Sequence, residues 1–273
     1  GSTFVFNGDV MTDLDLQAML KFHQEKHSKL TIALTPVEDP TAFGLVETDE
    51  SGRIHRFVEK PRIDEITTNL INAGTYIIEP ELFRYVPPAQ HYMFERGLFP
   101  VVLQTGDLMY GYPSRAYWTD IGKPQAYIDV HHDILMGKFH YHINGEQIGE
   151  RIWVQGKVDI HSSARIVGPV VLGDGVRIGP GSQIIGPTVI GANCLIGSNV
   201  AIEASVLWES NVIEDEASLR SCVIGKNNTI GSRVQLADGA IVSDNCRIGP
   251  ENRLERGIRV WPDTVLKERS LTF

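Results

Sequence analysis

Residues 170–202 read VVLGDGVRIGPGSQIIGPTVIGANCLIGSNVAI, and an aliphatic residue returns at every sixth position of this stretch. The spacing extends from Val154 to Val260, with one residue deleted before Leu207 and another before Ile224. Neither the helical period of about 3.6 residues nor the strand period of about two accounts for it. The repeat therefore predicts a solenoid in which each short strand contributes one inward aliphatic side chain. The repeat positions are Val154, Ile160, Ile166, Leu172, Ile178, Ile184, Ile190, Ile196, Ile202, Leu207, Ile213, Leu219, Ile224, Ile230, Leu236, Val242, Ile248, Leu254 and Val260.

Small residues surround the repeat aliphatics. Glycine often follows them, as at Gly173 and Gly225, and glycine suits tight corners where a side chain would clash or φ must be positive. The pattern resembles the hexapeptide repeat of left-handed parallel β-helices. Nineteen repeats on three faces give about six coils, and we assign residues 150–265 to this domain.

The composition describes an ordinary globular protein, with 42% hydrophobic and 22% charged residues among 273. A net charge of −9 argues against nucleic acid as a partner, because non-specific binding to it requires clustered Lys and Arg. No apolar run approaches the roughly 20 residues of a membrane span, and no leader opens the chain. We therefore expect a cytoplasmic protein with no membrane partner. Cys194, Cys222 and Cys246 each lie two positions before a repeat aliphatic, which predicts small buried side chains rather than metal ligands.

Residues 1–140 show the pattern of an α/β unit. An apolar strand predicted to be buried at Thr3–Phe6 ends in an Asn-Gly-Asp sequence whose last residue is Asp9. Open α/β sheets collect ligands at the carboxyl ends of their strands, which makes Asp9 a candidate functional carboxylate. The alternative is that Asp9 caps the next helix, a role for which Asp13 and Asp15 also compete.

The next helix, predicted over Leu16–His27, has apolar residues on one face. It also places His23 and His27 four residues apart, a spacing that two metal ligands can use. Because no third ligand lies nearby, we expect a solvated helix face there and not a metal site.

Polar residues also stand at the ends of later strands. Glu59 and Lys60 leave one predicted strand side by side, for which a surface ion pair is the structural interpretation. Asn72 and Gly74 interrupt an otherwise apolar strand, and such interruptions often mark the approach of a ligand. A turn then delivers a second carboxylate at Asp120.

Together these segments resemble the nucleotide-sugar pyrophosphorylases, also called sugar-1-phosphate nucleotidyltransferases, over Phe4–Leu135. The run Asn69–Gly74, with Phe43-Gly44 and the sequence ending at Asp9, looks most like the mannose-1-phosphate guanylyltransferases. The resemblance implies that residues 1–140 are part of a Rossmann-like nucleotidyltransferase domain. The implied reaction forms a nucleotide sugar and pyrophosphate from a sugar-1-phosphate and a nucleoside triphosphate, and the nucleotide sugar expected for this chain is GDP-mannose.

The resemblance also implies catalytic roles. Two anions must meet in this reaction, which requires a divalent cation, usually Mg²⁺. Asp9 and Asp120 match the metal-binding aspartates of the family, and Lys60 matches the lysine that holds the sugar phosphate. Glu95 and Arg96 either form an ion pair that shapes the site or contact the substrate directly.

Four further residues match the family's sugar-binding positions. Glu59 would accept hydrogen bonds from the sugar hydroxyl groups. The backbone at Gly44 and the side chain of Asn72 would approach the ring, and Gly74 would leave room for it.

One departure from the family concerns the nucleotide. A glycine-rich segment with an Arg, followed by a Lys-Pro pair, binds the triphosphate in family members, and nothing in this chain matches it. We therefore expect the chain to be inactive alone. The open edge of its first strand would be covered by a separate N-terminal half or by another copy of the chain. We also expect a homo-oligomer.

Two alternatives remain open. The solenoid also occurs in acyltransferases, which need a basic histidine facing a neighbouring coil, and the repeat region offers only His161. The other alternative is a non-catalytic regulatory or assembly subunit with the same two domains.

Overall fold

The computed structural model describes residues 1–271, which form two compact units, Gly1–Asp120 and a second that begins at Ile121. The strands of the first unit are β1 (Thr3–Phe6), β2 (Val10–Thr12), β3 (Leu30–Pro36), β4 (Gly44–Thr48), β5 (Ile54–Glu59), β6 (Leu70–Ile78), β7 (Met109–Pro113) and β8 (Trp118–Asp120). Its helices are α1 (Leu16–Glu25) and α2 (Leu98–Thr105), with 3-10 turns at Pro40–Ala42, Ile63–Glu65 and Pro80–Tyr85.

The main sheet of the first unit has the strand order β5-β4-β6-β3-β7, and β1 also pairs with β6. Only β3 and β7 pair in parallel, while β6 runs antiparallel to β1, β3 and β4. Strand β3, which lies between β6 and β7, is apolar in sequence and buried from Leu30 to Thr35. Strands β2 and β8 form a separate antiparallel pair.

The first strand differs from its prediction. None of the residues of β1 is buried, and Phe6 is 52% exposed. Within the described chain β1 pairs only with β6, so its other edge has no strand beside it. The rings of Phe4 and Phe6 stack on one face, with centroids 5.9 Å apart. An apolar sequence therefore predicted the strand correctly but its burial wrongly.

Helix α1 is amphipathic, and the expectation of a solvated His23 is wrong. His23 is 2% exposed. Its Nδ1 lies 2.8 Å from Oγ1 of Thr31, and its Nε2 lies 3.1 Å from Oε1 of Glu79. The ring can be buried because both nitrogens have partners, one on β3 and one at the residue that follows β6.

The second unit begins with helix α3 (Pro124–Leu135), followed by three sheets of short strands. The first sheet contains β9 (Glu146–Gly149), β10 (Ile152–Val154), β13 (Val170–Leu172), β16 (Thr188–Ile190), β19 (Val206–Leu207), β22 (Val223–Ile224), β25 (Ile241–Val242) and β28 (Arg259–Val260). The second contains β11 (Asp159–Ile160), β14 (Arg177–Ile178), β17 (Leu195–Ile196), β20 (Val212–Ile213), β23 (Thr229–Ile230), β26 (Arg247–Ile248) and β29 (Val265–Leu266). The third contains β12 (Arg165–Val167), β15 (Gln183–Ile185), β18 (Ala201–Glu203), β21 (Ser218–Arg220), β24 (Gln235–Leu236) and β27 (Arg253–Leu254).

These sheets are the faces of a parallel β-helix. Strand β9 pairs antiparallel with β10. From β10 onward each strand pairs in parallel with its equivalent in the next coil, as Ile178 does with Ile196. Every repeat aliphatic lies in one core cluster or packs against it, and the three cysteines are buried in the same cluster. The predicted solenoid and the structural role of the cysteines are therefore confirmed.

The two single-residue deletions fall at one corner of the β-helix. They shorten the turn that leads from β18 to β19 and the turn that leads from β21 to β22. Ala204 and Ser221 stand in these turns with φ of +47° and +48°. Strand pairing continues across both, with Glu203 opposite Arg220 and Val206 opposite Val223. Among residues 1–271, no helix combines the length and the apolar character needed to cross a membrane.

Candidate active site

Two aspartates separated by most of the first unit meet at the β2–β8 pair. Asp9 directly precedes β2, and Val10 lies opposite Asp120 in the antiparallel register. Both carboxylates line one cavity of about 240 Å³, which we call the β2–β8 cavity. The capping role considered for Asp9 belongs to Asp15, whose Oδ1 accepts hydrogen bonds from the backbone of Gln17 and Ala18.

The β4–β5 hairpin brings Glu59 and Lys60 to the same cavity. Glu59 lies opposite Gly44 in the hairpin register, and the Lys60 amide donates a 2.9 Å hydrogen bond to the Phe43 carbonyl. Lys60 has φ of +52°, a left-handed conformation that costs about 1–3 kcal/mol for a residue with a side chain. The residue after it is Pro61, and a proline favours an extended rather than a helical conformation at the residue before it, here Lys60. The hairpin therefore holds a functional candidate in a strained backbone.

Strand β6 supplies the next wall through residues two apart, which share one face. Asn72 and Gly74 line the cavity, and the Gly74 carbonyl accepts a 2.8 Å hydrogen bond from the backbone N–H of Asn7. Gly74 has φ of +71°, and a Cβ there would lie 2.9 Å from Nδ2 of Asn7. The position requires glycine both for its backbone and for the close approach.

Gly44 is required for space alone. It is buried at the start of β4, and a Cβ there would lie 2.6 Å from Cζ of Phe57 and 3.0 Å from Oε2 of Glu59. The absence of a side chain at Gly44 therefore sets where the Glu59 carboxylate can lie.

The cavity combines carboxylates with a cation. Burial raises the pKa of Glu59, and the charge of Glu95 raises it further, while Lys60 and Arg96 lower it. Glu95 also lines the cavity. Within residues 1–271 no salt bridge joins Glu95 to Arg96, whose side chain is exposed, so the ion-pair interpretation of these two residues is wrong.

All seven residues predicted for the site line this cavity: Asp9, Gly44, Glu59, Lys60, Asn72, Gly74 and Asp120. The sequence interpretation missed Phe43 and Trp118, which also line it and whose rings meet edge to face with centroids 5.4 Å apart. Trp118 lies two residues before Asp120 on the same strand, and this spacing could have indicated it. His161 lies in the solenoid, where its Nδ1 contacts Oγ of Ser163 at 2.8 Å.

The donor set of the cavity fits a magnesium ion. The described residues contain no group of three or more His, Cys, Asp or Glu side chains able to hold a metal. Mg²⁺ needs no such group, because it commonly uses one or two carboxylates and takes its other ligands from substrate phosphates and water. Asp9 and Asp120 supply those two carboxylates beside one cavity.

Comparison with known families agrees with this arrangement. The family model described as "Nucleotidyl transferase" matches residues 1–137. This chain belongs to the nucleotidyl transferase family. A second model, described as "EIF2B subunit epsilon LbH domain", matches residues 149–254 of this nucleotidyl transferase.

Individual relatives extend the comparison. The mannose-1-phosphate guanylyltransferase of Mycobacterium tuberculosis is 33% identical over 76% of the chain and 55% of the relative. The mannose-1-phosphate guanylyltransferase catalytic subunit beta of Danio rerio is 33% identical over 91% of the chain and 64% of the relative. The UTP–glucose-1-phosphate uridylyltransferase of Synechocystis sp. is 35% identical over 75% of the chain and 54% of the relative. The nucleotidyl transferase described here thus spans between about half and two thirds of each of these relatives.

Proposed function

We propose that this chain takes part in forming a nucleotide sugar and pyrophosphate from a sugar-1-phosphate and a nucleoside triphosphate. The observation that carries the proposal is the β2–β8 cavity, where Asp9, Asp120 and Lys60 converge with the hydroxyl-binding candidates Glu59 and Asn72. Carboxylates for a cation, an ammonium for a phosphate and acceptors for hydroxyl groups are together what a sugar phosphate needs.

In the proposed reaction a phosphate oxygen of the sugar-1-phosphate attacks the α-phosphorus of the triphosphate. A new P–O bond forms while the bond from the α-phosphorus to the bridging oxygen breaks, and pyrophosphate leaves with that electron pair. A bound Mg²⁺ would neutralise the approaching phosphates, and Asp9 and Asp120 would hold it.

The protein residues have separate roles in this scheme. Lys60 pairs with the sugar phosphate as a compact positive charge, and its hydrogen-bonded hairpin backbone fixes where that charge enters the cavity. Glu59 accepts hydrogen bonds from sugar hydroxyl groups. Asn72 donates to the sugar from β6, and Gly44 and Gly74 leave room for the ring. Orientation of the sugar phosphate for attack is thus the main contribution of this unit.

For the sugar and the base we propose mannose and guanine, so that the product is GDP-mannose. Support comes from the relatives named mannose-1-phosphate guanylyltransferase in Mycobacterium tuberculosis, Danio rerio and Arabidopsis thaliana. Because nothing in the chain matches the family's glycine-rich nucleotide segment, we propose that the chain binds sugar phosphate alone but needs an N-terminal half to react.

We further propose a cytoplasmic location and a homo-oligomer. The proposed substrates are polyanions that do not cross membranes unaided, which supports the location. Trp261 and Val265 on the β-helix are 77% and 65% exposed, and exposed apolar side chains of this size favour association. Light scattering on a size-exclusion column tests the oligomer, and a monomer at micromolar concentration would contradict it.

The reaction is tested by pyrophosphate release with Mg²⁺, mannose-1-phosphate and GTP. We expect no release by the chain alone, release when the N-terminal half of a family member is added, and loss of that release in Asp9→Ala. Release by the chain alone would confirm the reaction and contradict the need for a second piece. Failure to bind mannose-1-phosphate, measured by calorimetry, would contradict the proposed function itself.

A further inference from the structure

A buried tyrosine hydroxyl lies behind the β2–β8 cavity and contacts three of its lining residues. Tyr76 is 1% exposed. Its hydroxyl oxygen lies 2.9 Å from Nδ2 of Asn72, 3.3 Å from Oε1 of Glu95 and 3.5 Å from Oδ1 of Asn7. These three contacts join β6, the segment after β1 and the segment before α2 at one atom.

The direction of these hydrogen bonds follows from the donors available. The backbone N–H of Gly74 donates to Oδ1 of Asn72, with an N···O distance of 3.0 Å. The other end of this side chain, Nδ2, therefore donates to the Tyr76 hydroxyl. The hydroxyl then has one proton to give. A carboxylate is the stronger and here the nearer acceptor, so the proton goes to Glu95 rather than to Asn7.

This arrangement leaves hydrogen-bonding capacity at the cavity. Asn72 uses one amide hydrogen on Tyr76 and retains a second, while Glu95 accepts at Oε1 and retains Oε2 as an acceptor. One donor and one acceptor, each fixed by the same hydroxyl, suit two hydroxyl groups of a sugar ring. Glu59 lies in the same cavity, so this part of the wall carries two carboxylates.

We propose that Tyr76 is a positioning residue that sets the sugar-binding geometry of Asn72 and Glu95, and that Glu95 contacts the sugar. This inference rests on the proposed function and deepens it by naming a substrate class. A wall with two carboxylates accepts neutral, hydroxyl-bearing sugar-1-phosphates and disfavours sugar acids, whose own carboxylate it repels. The family motif at Glu59 and Lys60 contains neither Tyr76 nor Glu95.

The test is Tyr76→Phe in the full 273-residue chain, with Tyr85→Phe as the matched control. The hydroxyl of Tyr85 accepts a hydrogen bond from Arg84 and does not line the cavity. Calorimetry measures the Kd of mannose-1-phosphate and, separately, of inorganic phosphate. We expect Tyr76→Phe to raise the Kd of mannose-1-phosphate about tenfold, as losing a hydrogen bond to a charged group would. The Kd of inorganic phosphate should change less than twofold, and Tyr85→Phe should change neither value.

If the role of Tyr76 were purely structural, Tyr76→Phe would weaken binding of both ligands together. That result, or an unchanged Kd for mannose-1-phosphate, would overturn the proposal. Wild-type protein that binds inorganic phosphate but not mannose-1-phosphate would instead contradict the proposed function. A second arm compares mannose-1-phosphate with mannuronate-1-phosphate. We expect the sugar acid to bind at least about tenfold more weakly to the wild type, and Glu95→Gln to reduce that difference. If Glu95→Gln discriminates between mannose-1-phosphate and mannuronate-1-phosphate as strongly as wild type does, Glu95 does not contact the sugar.

Discussion

Asp120 lies directly opposite Val10 in the β2–β8 pair, so it stands beside Asp9, the residue before Val10, and both carboxylates line the same cavity. Asp9 occupies the turn directly before β2, and the pairing of its neighbour Val10 with Asp120 limits how far apart the two carboxylates can lie. The cation site that we propose at these aspartates would therefore be organised before the substrate arrives, which would lower the cost of assembling it.

Replacing either aspartate should weaken cation binding that depends on the substrate. We expect Asp9→Asn and Asp120→Asn each to weaken Mn²⁺ binding in the presence of mannose-1-phosphate by at least about tenfold, because the remaining carboxylate holds the ion alone. Electron paramagnetic resonance of free Mn²⁺ provides the measurement. Asp64→Asn, at an exposed residue paired with Arg62, is the control. Unchanged Mn²⁺ binding in both aspartate variants would contradict the site.

Alanine substitutions at two glycines distinguish backbone strain from steric crowding by a neighbouring side chain. Gly74 and Gly106 have φ of +71° and +74°, but a Cβ would meet Asn7 at Gly74 and nothing within 4 Å at Gly106. We expect Gly106→Ala to lower the free energy of unfolding by about 1–2 kcal/mol from strain alone. Gly74→Ala should cost more, and it should also weaken mannose-1-phosphate binding. Urea denaturation measures the free energy of unfolding of both variants. Equal losses would show that the Asn7 side chain moves aside without measurable cost.

The backbone strain at Lys60 predicts a difference between two substitutions that remove the same charge. Lys60→Ala and Lys60→Gly should both weaken binding of mannose-1-phosphate, since neither retains the ammonium group. Glycine adopts the observed φ of +52° without steric cost, so we expect Lys60→Gly to be more stable than Lys60→Ala by about 1 kcal/mol. Equal stability in urea denaturation would mean that the hairpin relaxes around alanine.

The raised pKa of Glu59 predicts how stability depends on pH. The ordinary pKa of the group is 4.5, and burial followed by the charge of Glu95 raises it in the folded state. As pH rises, the unfolded state therefore loses the Glu59 proton at a lower pH than the folded state does. Stability contributed by the protonated group is present below the ordinary pKa and is lost as pH rises through the raised one. Glu59→Gln should therefore raise Tm relative to wild type at pH 7 and much less at pH 4.

Glu79 is the control of opposite sign. Hydrogen bonds from Ser2 and then from His23 lower the pKa of this carboxyl, so its contribution to stability is present above its ordinary pKa and is lost as pH falls through the lowered one. Glu79→Gln should lower Tm at pH 7 and have less effect at acidic pH. Calorimetric scans of both variants provide the comparison, and shifts of the same sign would contradict the assignment.

The cysteines should be unreactive until the β-helix unfolds. All three are buried, and burial raises the pKa of the Cys222 thiol to about 12. We expect an aromatic disulfide reagent to label no thiol in the native chain at pH 8 and all three in guanidinium chloride. Ser51→Cys, in an exposed turn, should add one thiol that reacts in the native state. Rapid labelling of native wild type would contradict the burial.

The sequence predicted the parallel β-helix and its core residues because the signal repeats at every coil, so that each position is supported by its neighbours. The sequence also predicted seven site residues that the structure brings to one cavity, since each stands at a strand end or breaks an apolar pattern. Tyr76 was missed because tyrosine is ordinary in a strand, and only the convergence of Asn7, Asn72 and Glu95 gives it a role. The burial of His23 depends on Thr31 and Glu79, and such distant partners cannot be read from spacing.

The shortened turns at Ala204 and Ser221 show that a coil can lose a residue at this corner while strand pairing above and below is retained. Each coil contacts mainly its two neighbours. Duplication or loss of a whole coil would therefore create no new kind of interface inside the stack. The length of this domain is thus open to evolutionary change in discrete steps, independently of the residues that surround the β2–β8 cavity.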